Sequence, residues 1–405
     1  MAEQNSDKKE LKSNLEGKNL TIYIEETINA QNSSMIEKSI SEIISKNPET
    51  NLKLDLNNLK DISSAGIRLL MDLKNLYGKQ TKIKLENVSK EAYEILETTG
   101  LTEYFEIKKS LREVSIDNLK LIGQGANSKV YKLDNDKVIK VFRPKTLFDL
   151  VIKNENNITR NAFLCGVPTT IVYDIVKVGD CYGSIYEYLE AKDLIKIMEE
   201  DKEHLVNYIK DFTKLMKKMH TIEVDKNKFY DLKRKSLELL PKLKGKVLND
   251  EEYEKLKKIY ENIPDRYTFI HGDCHPGNVM VKDGKMIFID LATAGMGHPI
   301  IDLMGMYNIY RINIHNPDKM KNSPLLKNFK IEELNLIWDV FMKEYLGTED
   351  ENILKKAEDQ IAGFSYTRIL FAEVAFPGYL PKHLLDMFKN KAIAFYDKGL
   401  EPICF

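Results

Sequence analysis

Cysteine, glycine, proline and net charge are all scarce in this chain of 405 residues. The four cysteines are widely spaced and form no Cys-x-x-Cys pair, which argues against a disulfide framework and a cysteine-rich zinc site and favours the reducing cytoplasm. Sixty-one basic side chains against 62 acidic ones leave a formal charge of -1, so the balance predicts neither a nucleic-acid nor a membrane partner. The glycines and prolines form no low-complexity tract or fixed-period repeat, which excludes a solenoid.

Long apolar runs are also missing. Residues 1–19 are polar and charged, so we expect a flexible tail over residues 1–17 rather than a secretory signal. No later segment approaches the length that spans a membrane. What the chain does contain is 43% hydrophobic and 30% charged residues, typical of a globular protein, and enough length for more than one domain.

Residues 18–113 switch repeatedly between strand and helix patterns. Apolar residues alternate with polar ones in the strand-like segments, and recur every three or four residues in the helix-like ones. The predicted strands are 20–24, 51–59 and 81–88, and the predicted helices are 35–44, 66–77 and 90–99. Strands that alternate with helices predict an α/β domain in which helices cover a sheet.

Two sequence segments of this region resemble a known family. Leu-Asp-Leu-Asn-Asn-Leu-Lys-Asp-Ile-Ser-Ser-Ala-Gly at 54–66 and Thr-Thr-Gly-Leu-Thr at 98–102 resemble the STAS family of anti-sigma-factor antagonists. The resemblance implies a regulatory domain that binds an anti-sigma-factor-type protein partner, with Ser64 at the position that a partner kinase phosphorylates. A phosphate there would lie at a helix N-terminus, which favours negative charge. The other interpretation is that Ser63 or Ser64 only caps the helix.

The next region contains candidate groups for binding phosphate. Gly123 and Gly125 separate two alternating segments, as in a hairpin whose backbone can lie close to a phosphate, although glycines also mark ordinary turns. The following predicted strand, 137–142, places Lys140 among apolar neighbours, where an ammonium group needs a counter-charge or an anionic ligand. The alternative is a solvated lysine on an edge strand.

A carboxylate for Lys140 follows within the next predicted element. Residues 146–164 have the apolar spacing of a helix with Glu155 at its centre, so we expect a Lys140–Glu155 ion pair, unless Glu155 is an ordinary exposed acid. Residues 182–190 then form an apolar strand that ends in a polar stretch, typical of a hinge between two lobes.

The strongest pattern lies in residues 267–291, where two apolar strands flank a polar loop and a short turn. Asp273 and Asn278 lie on the loop, and Asp290 ends the second strand of a hairpin, so the three side chains are predicted to converge. One carboxylate can orient a hydroxyl and accept its proton. An amide oxygen and a second carboxylate suit Mg²⁺, which prefers oxygen ligands and retains phosphate oxygens. These are the parts that phosphoryl transfer uses.

This His-Gly-Asp-x-His-x-x-Asn…Ile-Asp-Leu pattern resembles the aminoglycoside phosphotransferase and choline kinase superfamily, which shares the protein-kinase fold. The resemblance runs from about residue 119 to the end of the chain. It implies a two-lobed α+β domain over 117–405, with an N-lobe at about 117–190 and a C-lobe at about 191–405.

By the same resemblance, the cofactors are ATP and Mg²⁺, and each candidate residue acquires a role. Asp273 is the catalytic base, Asn278 and Asp290 bind Mg²⁺, and His271 and Asp302 support the loop structurally. The residues implied to bind ATP are Gly123, Gly125, Ser128, Lys140, Glu155, Glu187 and Leu189.

The expected activity is ATP-dependent phosphorylation of a hydroxyl group on a small molecule. After Asp290, the short segment 291–299 leads directly into a predicted helix, and Thr293 is the only hydroxyl residue of that segment. The segment therefore offers no platform for an extended peptide substrate. The acids Glu349, Asp350 and Glu351 suggest a cationic acceptor or, equally, a solvated helix end.

Three other hypotheses stay open. The domain could be a protein kinase or an autophosphorylating switch that modifies Ser64. The chain could be a non-catalytic anti-sigma-factor antagonist scaffold. His271, His275 and His298 together with an aspartate could be metal ligands of a hydrolase, although that leaves the glycine hairpin and Lys140 unexplained.

Overall fold

The computed structural model describes residues 11–25, 27–48, 50–57, 59, 62–78, 83–125, 127–144, 146–378 and 380–403. The chain divides into two compact units, Met1–Glu113 and Val114–Phe405. Within the described ranges, no helix has both the length and the apolar character needed to cross a membrane.

The first unit is a five-stranded sheet covered by helices. Its strands stand in the order β1-β2-β3-β4-β5, with β1 antiparallel to β2 and the other neighbours parallel. The strands are β1 Ser13–Glu16, β2 Asn19–Tyr23, β3 Asn51–Asp55, β4 Lys84–Val88 and β5 Glu106–Lys109. The helices are α1 Ser33–Ser45, α2 Ser64–Tyr77, α3 Lys90–Thr98 and a 3-10 turn, Leu101–Glu103. Alternate strand residues such as Leu52 and Leu54 are buried in one apolar core.

One expectation for the N-terminal segment is wrong. Residues 13–16, predicted to belong to a flexible tail, form β1, while residues 1–10 of that predicted tail lie outside the described residues. All four residues of β1 are exposed, so no apolar face marks the strand in the sequence. Backbone pairing with β2 holds it instead, across a turn in which Gly17 adopts a φ of 60°.

The second unit begins with an antiparallel sheet in the order β6-β7-β8-β10-β9. Its strands are β6 Lys120–Gln124, β7 Ser128–Lys132, β8 Lys137–Phe142, β9 Val172–Val178 and β10 Cys181–Glu187. Between β8 and β9, the predicted helix over 146–164 is a π-helical segment, Phe148–Lys153, that continues as α4, Asn154–Leu164. The wider π-helical segment ends at Lys153, two residues before Glu155.

The rest of the second unit is mainly helical, with two small sheets that carry the candidate site. The short strands are β11 Lys192–Asp193, β12 Thr268–Ile270, β13 Val279–Lys282, β14 Lys285–Phe288 and β15 Gly295–Gly297. Strands β11, β13 and β14 form one sheet, and β12 and β15 form the other. The division of this unit into two lobes near residue 190 stays a prediction.

The helices of this part are built around a core that contains Phe212, Phe269, Trp338 and Phe341. They are α5 Leu194–Glu200, α6 Leu205–Met219, α7 Leu232–Leu239, α8 Asp250–Glu261, α9 Ile300–Tyr307, α10 Pro317–Asn322, α11 Ile331–Leu346, α12 Glu351–Leu370, α13 Ala372–Ala375 and α14 Lys382–Asp397. Shorter helical turns are Lys202–His204, Leu240–Leu243, Pro276–Asn278, Asn308–Ile312 and Asn313–His315.

Candidate active site

Lys140 joins the sheet of the second unit to the β13–β14 hairpin. Its Nζ lies 2.7 Å from Glu155 Oε1 and 3.2 Å from Asp290 Oδ1. The side chains of Lys140 and Glu155 are 17% and 5% exposed, so the expected pair forms in a largely water-free place. Tyr186 adds a hydrogen bond from its hydroxyl to Glu155 Oε1 at 3.0 Å.

Lys140 stays protonated although it is largely buried. Burial alone lowers the pKa of Lys140, but the carboxylates of Glu155 and Asp290 outweigh it, so the pKa is raised above its ordinary value. The ammonium group is therefore positively charged at any physiological pH. It can hold an anionic ligand in the same place where it holds Asp290.

Asp290 has an unusual backbone. Its φ is 59°, a left-handed conformation that a residue with a Cβ seldom adopts. Such strain is often found at functional sites, where the surrounding structure fixes it. The side chain is 53% exposed, and Ile289 N donates to Asn278 O at 2.9 Å, which ties the position before Asp290 to the preceding loop.

That loop, between β12 and β13, carries Asp273 and Asn278. Asn278 Nδ2 donates to Asp273 O at 2.9 Å and lies 3.4 Å from Asp273 Oδ2. Because the amide nitrogen is used in this way, the Asn278 oxygen is the atom left to bind a cation. Hydrogen bonds through Asn278 therefore link the Asp273 loop to the backbone just before Asp290.

The carboxyl group of Asp273 stays ionised. Burial raises its pKa, but a hydrogen bond and the charge of His275 act more strongly in the opposite direction and lower the pKa to about 2. His275 Nε2 lies 3.6 Å from Asp273 Oδ2, and the Asp273 side chain is 54% exposed. The group can therefore accept a hydrogen bond from a hydroxyl that arrives from solvent.

The Asp302 carboxylate binds the backbone at the beginning of this loop. It is fully buried at the first turn of α9, and its two oxygens accept from His271 N at 2.9 Å and Gly272 N at 2.7 Å. His220 Nε2 lies 3.0 Å from Asp302 Oδ2. Burial raises the pKa of Asp302, but the hydrogen bond and charge of His220 lower it below its ordinary value.

His271 belongs to the same buried support. Burial lowers the pKa of its ring, so it stays neutral, and Nε2 donates to Ile289 O at 3.2 Å. The bond links the two strands of the motif. It orients the backbone next to Asp290 and does not place the imidazole in contact with solvent.

Two supporting residues were not predicted from the sequence. His220 follows α6 as its C-cap and also contacts Tyr345 Oη through Nδ1 at 2.8 Å, and Arg368 donates to Gly272 O at 2.7 Å and Ile301 O at 2.6 Å. A histidine after a helix and an arginine within one resemble ordinary surface residues, so no local signal marks either.

Gly272 did have a sequence signal, since it lies inside the His-Gly-Asp motif. Its φ is 80°, and a Cβ there would lie 2.3 Å from Thr293 O.

A cleft of about 560 Å³ lies beside Lys140, between the antiparallel sheet and the β13–β14 hairpin. Of the predicted site residues, it is lined by Gly125, Ser128, Lys140, Glu155, Glu187, Leu189 and Asp290. Gly123, Asp273 and Asn278 are not part of the lining. Gly123 pairs with Val130 inside the β6–β7 hairpin, so its backbone is engaged in the sheet.

The edge of the cleft near the end of β10 carries a free donor. Glu187 N donates to Ile171 O at 2.9 Å and Tyr188 N to Asp136 O at 2.7 Å. Leu189 N has no acceptor within the described part of the chain, and the residue is buried against the cleft.

In the first unit, the two candidate serines have different environments. Ser63 is the N-cap of α2, and its Oγ accepts from Gly66 N at 3.3 Å and donates to Ile28 O. Ser64 is exposed in the first turn of the helix. Capping therefore belongs to Ser63, and the Ser64 hydroxyl stays accessible.

Two further observations concern other chemistries. Across the described ranges, no group of three or more His, Cys, Asp or Glu residues is arranged to hold a metal ion. Cys165, Cys181 and Cys274 are free thiols.

Comparison with known families matches both units. Residues 10–114 match the family model of the STAS domain, and residues 118–318 match that of the phosphotransferase enzyme family. The chain thus contains a STAS domain and, after it, a phosphotransferase-family domain matched over residues 118–318. Both resemblances noted in the sequence are confirmed.

Comparison with curated proteins finds no match. Among solved structures, the ADP-bound aminoglycoside phosphotransferase APH(2'')-Ib is 15% identical, with a TM-score of 0.45, over 69% of this chain and 94% of that one. A choline/ethanolamine kinase family protein from Mesorhizobium loti is 13% identical, with a TM-score of 0.43, over 70% and 89%. Choline kinase LicA from Streptococcus pneumoniae is 13% identical, with a TM-score of 0.43, over 76% and 98%.

Proposed function

We propose that residues 117–405 form an ATP- and Mg²⁺-dependent kinase that transfers a phosphoryl group to a hydroxyl of a small molecule, and that residues 18–113 regulate it or bind a protein partner. The single observation that carries this proposal is the contact of Lys140 with both Glu155 and Asp290. It brings a buried cation from the sheet to the end of the β13–β14 hairpin, which directly follows the loop that carries Asp273.

The cleft beside Lys140 is the proposed nucleotide site. Its ammonium group, already fixed by Glu155, would bind the phosphates of ATP, and the β6–β7 hairpin would cover them through Gly125 and Ser128. At the other end, the unused amide of Leu189 supplies a donor for the adenine ring. The cleft therefore has a cation at the end proposed for the phosphates and a backbone donor at the end proposed for the adenine ring.

Asp273 is the proposed base, acting chiefly by orientation. With a pKa of about 2 it is a weak proton acceptor, but it is always ionised and can align the acceptor hydroxyl. The hydroxyl oxygen attacks the terminal phosphorus of ATP, the bond to the bridging oxygen breaks, and the proton passes to Asp273. The products are a phosphate ester and ADP.

The donor set fits magnesium. The Asn278 amide oxygen and the half-exposed Asp290 carboxylate are hard oxygen ligands on neighbouring backbone segments. A bound Mg²⁺ would neutralise charge on the phosphates. Asp290 would then be shared between the cation and Lys140, which already contacts one of its oxygens.

The segment after Asp290 supports a small acceptor. Residues 291–299 include only the short strand β15, which pairs with β12, before α9 begins. No long segment is available there to present a peptide substrate. The free thiols and the near-neutral charge are compatible with action in the cytoplasm without a nucleic-acid or membrane partner.

A second candidate function concerns the STAS domain. Because Ser63 provides the cap, Ser64 is an exposed hydroxyl at a helix N-terminus and is suited to carry a phosphate that alters binding of an anti-sigma-factor-type partner. The phosphate could come from a separate kinase or from the second domain itself.

Incubation with labelled ATP separates the two candidates. A small-molecule kinase forms ADP in the presence of pooled hydroxylated metabolites and leaves the protein unlabelled. A self-modifying switch labels the protein, and the label disappears in Ser64→Ala and in Asp273→Asn. Failure of the full-length protein to form ADP and to become labelled would leave two hypotheses, a non-catalytic scaffold and modification of Ser64 by a separate kinase.

A further inference from the structure

A second and larger cavity lies next to the Asp273 loop. It has a volume of about 1250 Å³ and is enclosed by residues from α9, α12, α14 and the segment 308–319. Arg368 connects it to the loop, because this residue lines the cavity and its guanidinium donates to Gly272 O, one residue before Asp273. The loop that carries the proposed base is therefore tied to a residue of the cavity wall.

The charged side chains around this cavity are mostly basic. The permanently charged members of the lining are Arg311, Lys319, Arg368 and Lys391 against Asp318 and Glu358. Arg311 and Glu358 neutralise each other at 2.8 Å. His315 and His383 also line the cavity and add positive charge when protonated.

Two of the cations face the cavity without a carboxylate. Arg368 is half-buried and donates to two carbonyl oxygens, which leaves further N–H groups of its guanidinium for a ligand. Lys391 lies 5.0 Å from the centre of the Tyr366 ring. In the described part of the protein, no carboxylate oxygen lies within 4.0 Å of either group.

The same cavity offers a site for a hydroxyl. Asn308 Oδ1 is buried in the wall and has no donor among the described residues. A buried carbonyl oxygen is costly to leave unpaired, so a hydroxyl of a ligand is a suitable partner. Tyr307 and Tyr366 supply flat walls.

The acidic residues that suggested a cationic acceptor are elsewhere. Asp350 is the N-cap of α12, where its carboxylate accepts from Asn352 N and Ile353 N, and Glu349 and Glu351 are exposed beside it. None of the three lines the cavity. They form a solvated helix start, the alternative interpretation of that cluster.

We propose that this cavity binds the phosphoryl acceptor and that the acceptor is a hydroxylated anion, a carboxylate or a phosphate ester. The inference rests on the proposed kinase function. Arg368 and Lys391 would bind the negative group, and Asn308 would accept from one hydroxyl while another reaches Asp273.

The test uses four pools of hydroxylated metabolites with the full-length protein: carboxylates, phosphate esters, neutral sugars and aminoalcohols. ADP formation reports turnover, and thermal shift without nucleotide reports acceptor binding. Lys391→Gln removes one cavity cation, and Lys398→Gln at the end of the same helix, outside the lining, is the matched control. The carboxylate and phosphate pools distinguish the two anionic sources.

We expect an anionic pool to give the highest turnover. For its active member, Lys391→Gln should raise the acceptor KM by about fivefold to tenfold, as for loss of one charge-assisted contact, with kcat within about twofold. The KM for ATP should not change, and Lys398→Gln should match wild type.

Other outcomes separate this inference from the kinase proposal. If the protein prefers a neutral or amino acceptor, the anionic site is overturned and the kinase proposal stands. The same conclusion follows if the acceptor is anionic but its KM is unchanged in Lys391→Gln. Anion-induced thermal stabilisation that is lost in Lys391→Gln, without any ADP formation, retains the site and removes the kinase. If no anion either binds or is turned over, the inference is wrong.

Discussion

The two sides of the candidate site are held in different ways. On the sheet side, Lys140 is fixed by the carboxylates of Glu155 and Asp290, and the Tyr186 hydroxyl donates to Glu155; all four residues line the cleft. On the loop side, Asp273 is half exposed, while the fully buried Asp302 carboxylate accepts from the two backbone N–H groups just before Asp273, at His271 and Gly272. The first arrangement unites support and ligand contact in the same side chains. The second separates them.

This difference predicts which substitutions affect folding and which affect only chemistry. A side chain that contacts only ligand can be changed at little structural cost. A buried acceptor of backbone N–H groups cannot, because those donors have no other partner. The following variants test that contrast.

Asp302→Ala should have the largest effect. It leaves His271 N, Gly272 N and the His220 ring without their partner, so we expect the unfolding free energy of the second domain to fall by about 3–5 kcal/mol. Urea unfolding followed by fluorescence of Trp338, the only tryptophan and a buried residue of this domain, measures it. Asp302→Asn keeps one acceptor and should lose less. Equal stability of Asp302→Ala and wild type would remove Asp302 from its supporting role.

Asp273→Asn should act chiefly on chemistry. The amide keeps the shape but lacks the charge that orients the hydroxyl, so we expect kcat to fall by at least about a hundredfold (~2.7 kcal/mol) with ATP affinity nearly unchanged. Asp283→Asn, in the exposed turn of the β13–β14 hairpin, is the matched control. Steady-state kinetics and nucleotide titration measure both. Unchanged turnover would show that Asp273 is not the base.

Glu155→Gln should have a smaller effect on the nucleotide side. The ion pair with Lys140 becomes a hydrogen bond from the ammonium group to a neutral amide oxygen, while Asp290 still contacts the ammonium group, so we expect the KM for ATP to rise by about tenfold (~1.4 kcal/mol). Stability should change less than in Asp302→Ala. Glu203→Gln, an exposed acid of the same domain, is the control. A normal KM for ATP in Glu155→Gln would contradict the role of the pair.

The smallest effect concerns pH. The pKa of Asp273 is about 2 in the folded protein against an ordinary 3.8, so its ionised form favours folding above about pH 4, and the contribution is lost as the pH falls through 2. The stability difference between wild type and Asp273→Asn should therefore change as the pH falls below about 4. A difference that stays constant from pH 5 down to pH 2 would contradict the lowered pKa of Asp273.

Much of this site was predictable because local patterns encode it. The spacing of Lys140 and Glu155, and of Asp273, Asn278 and Asp290, follows from a strand before a helix and from a hairpin, whose geometry the sequence specifies over short distances. Strand β1 was missed because an exposed edge strand needs no apolar alternation. The support by His220 and Arg368 was missed because each lies 50 or more residues from the loop that it holds.

By itself, the sequence determined that a STAS domain precedes a phosphotransferase-family domain and which side chains carry the proposed chemistry, because those features depend on short-range order along the chain. Only the tertiary structure decided that Ser63 rather than Ser64 caps α2 and that the larger cavity is basic. These depend on contacts between distant segments: a carbonyl 35 residues away accepts from Ser63, and helices far apart in sequence supply the cavity cations.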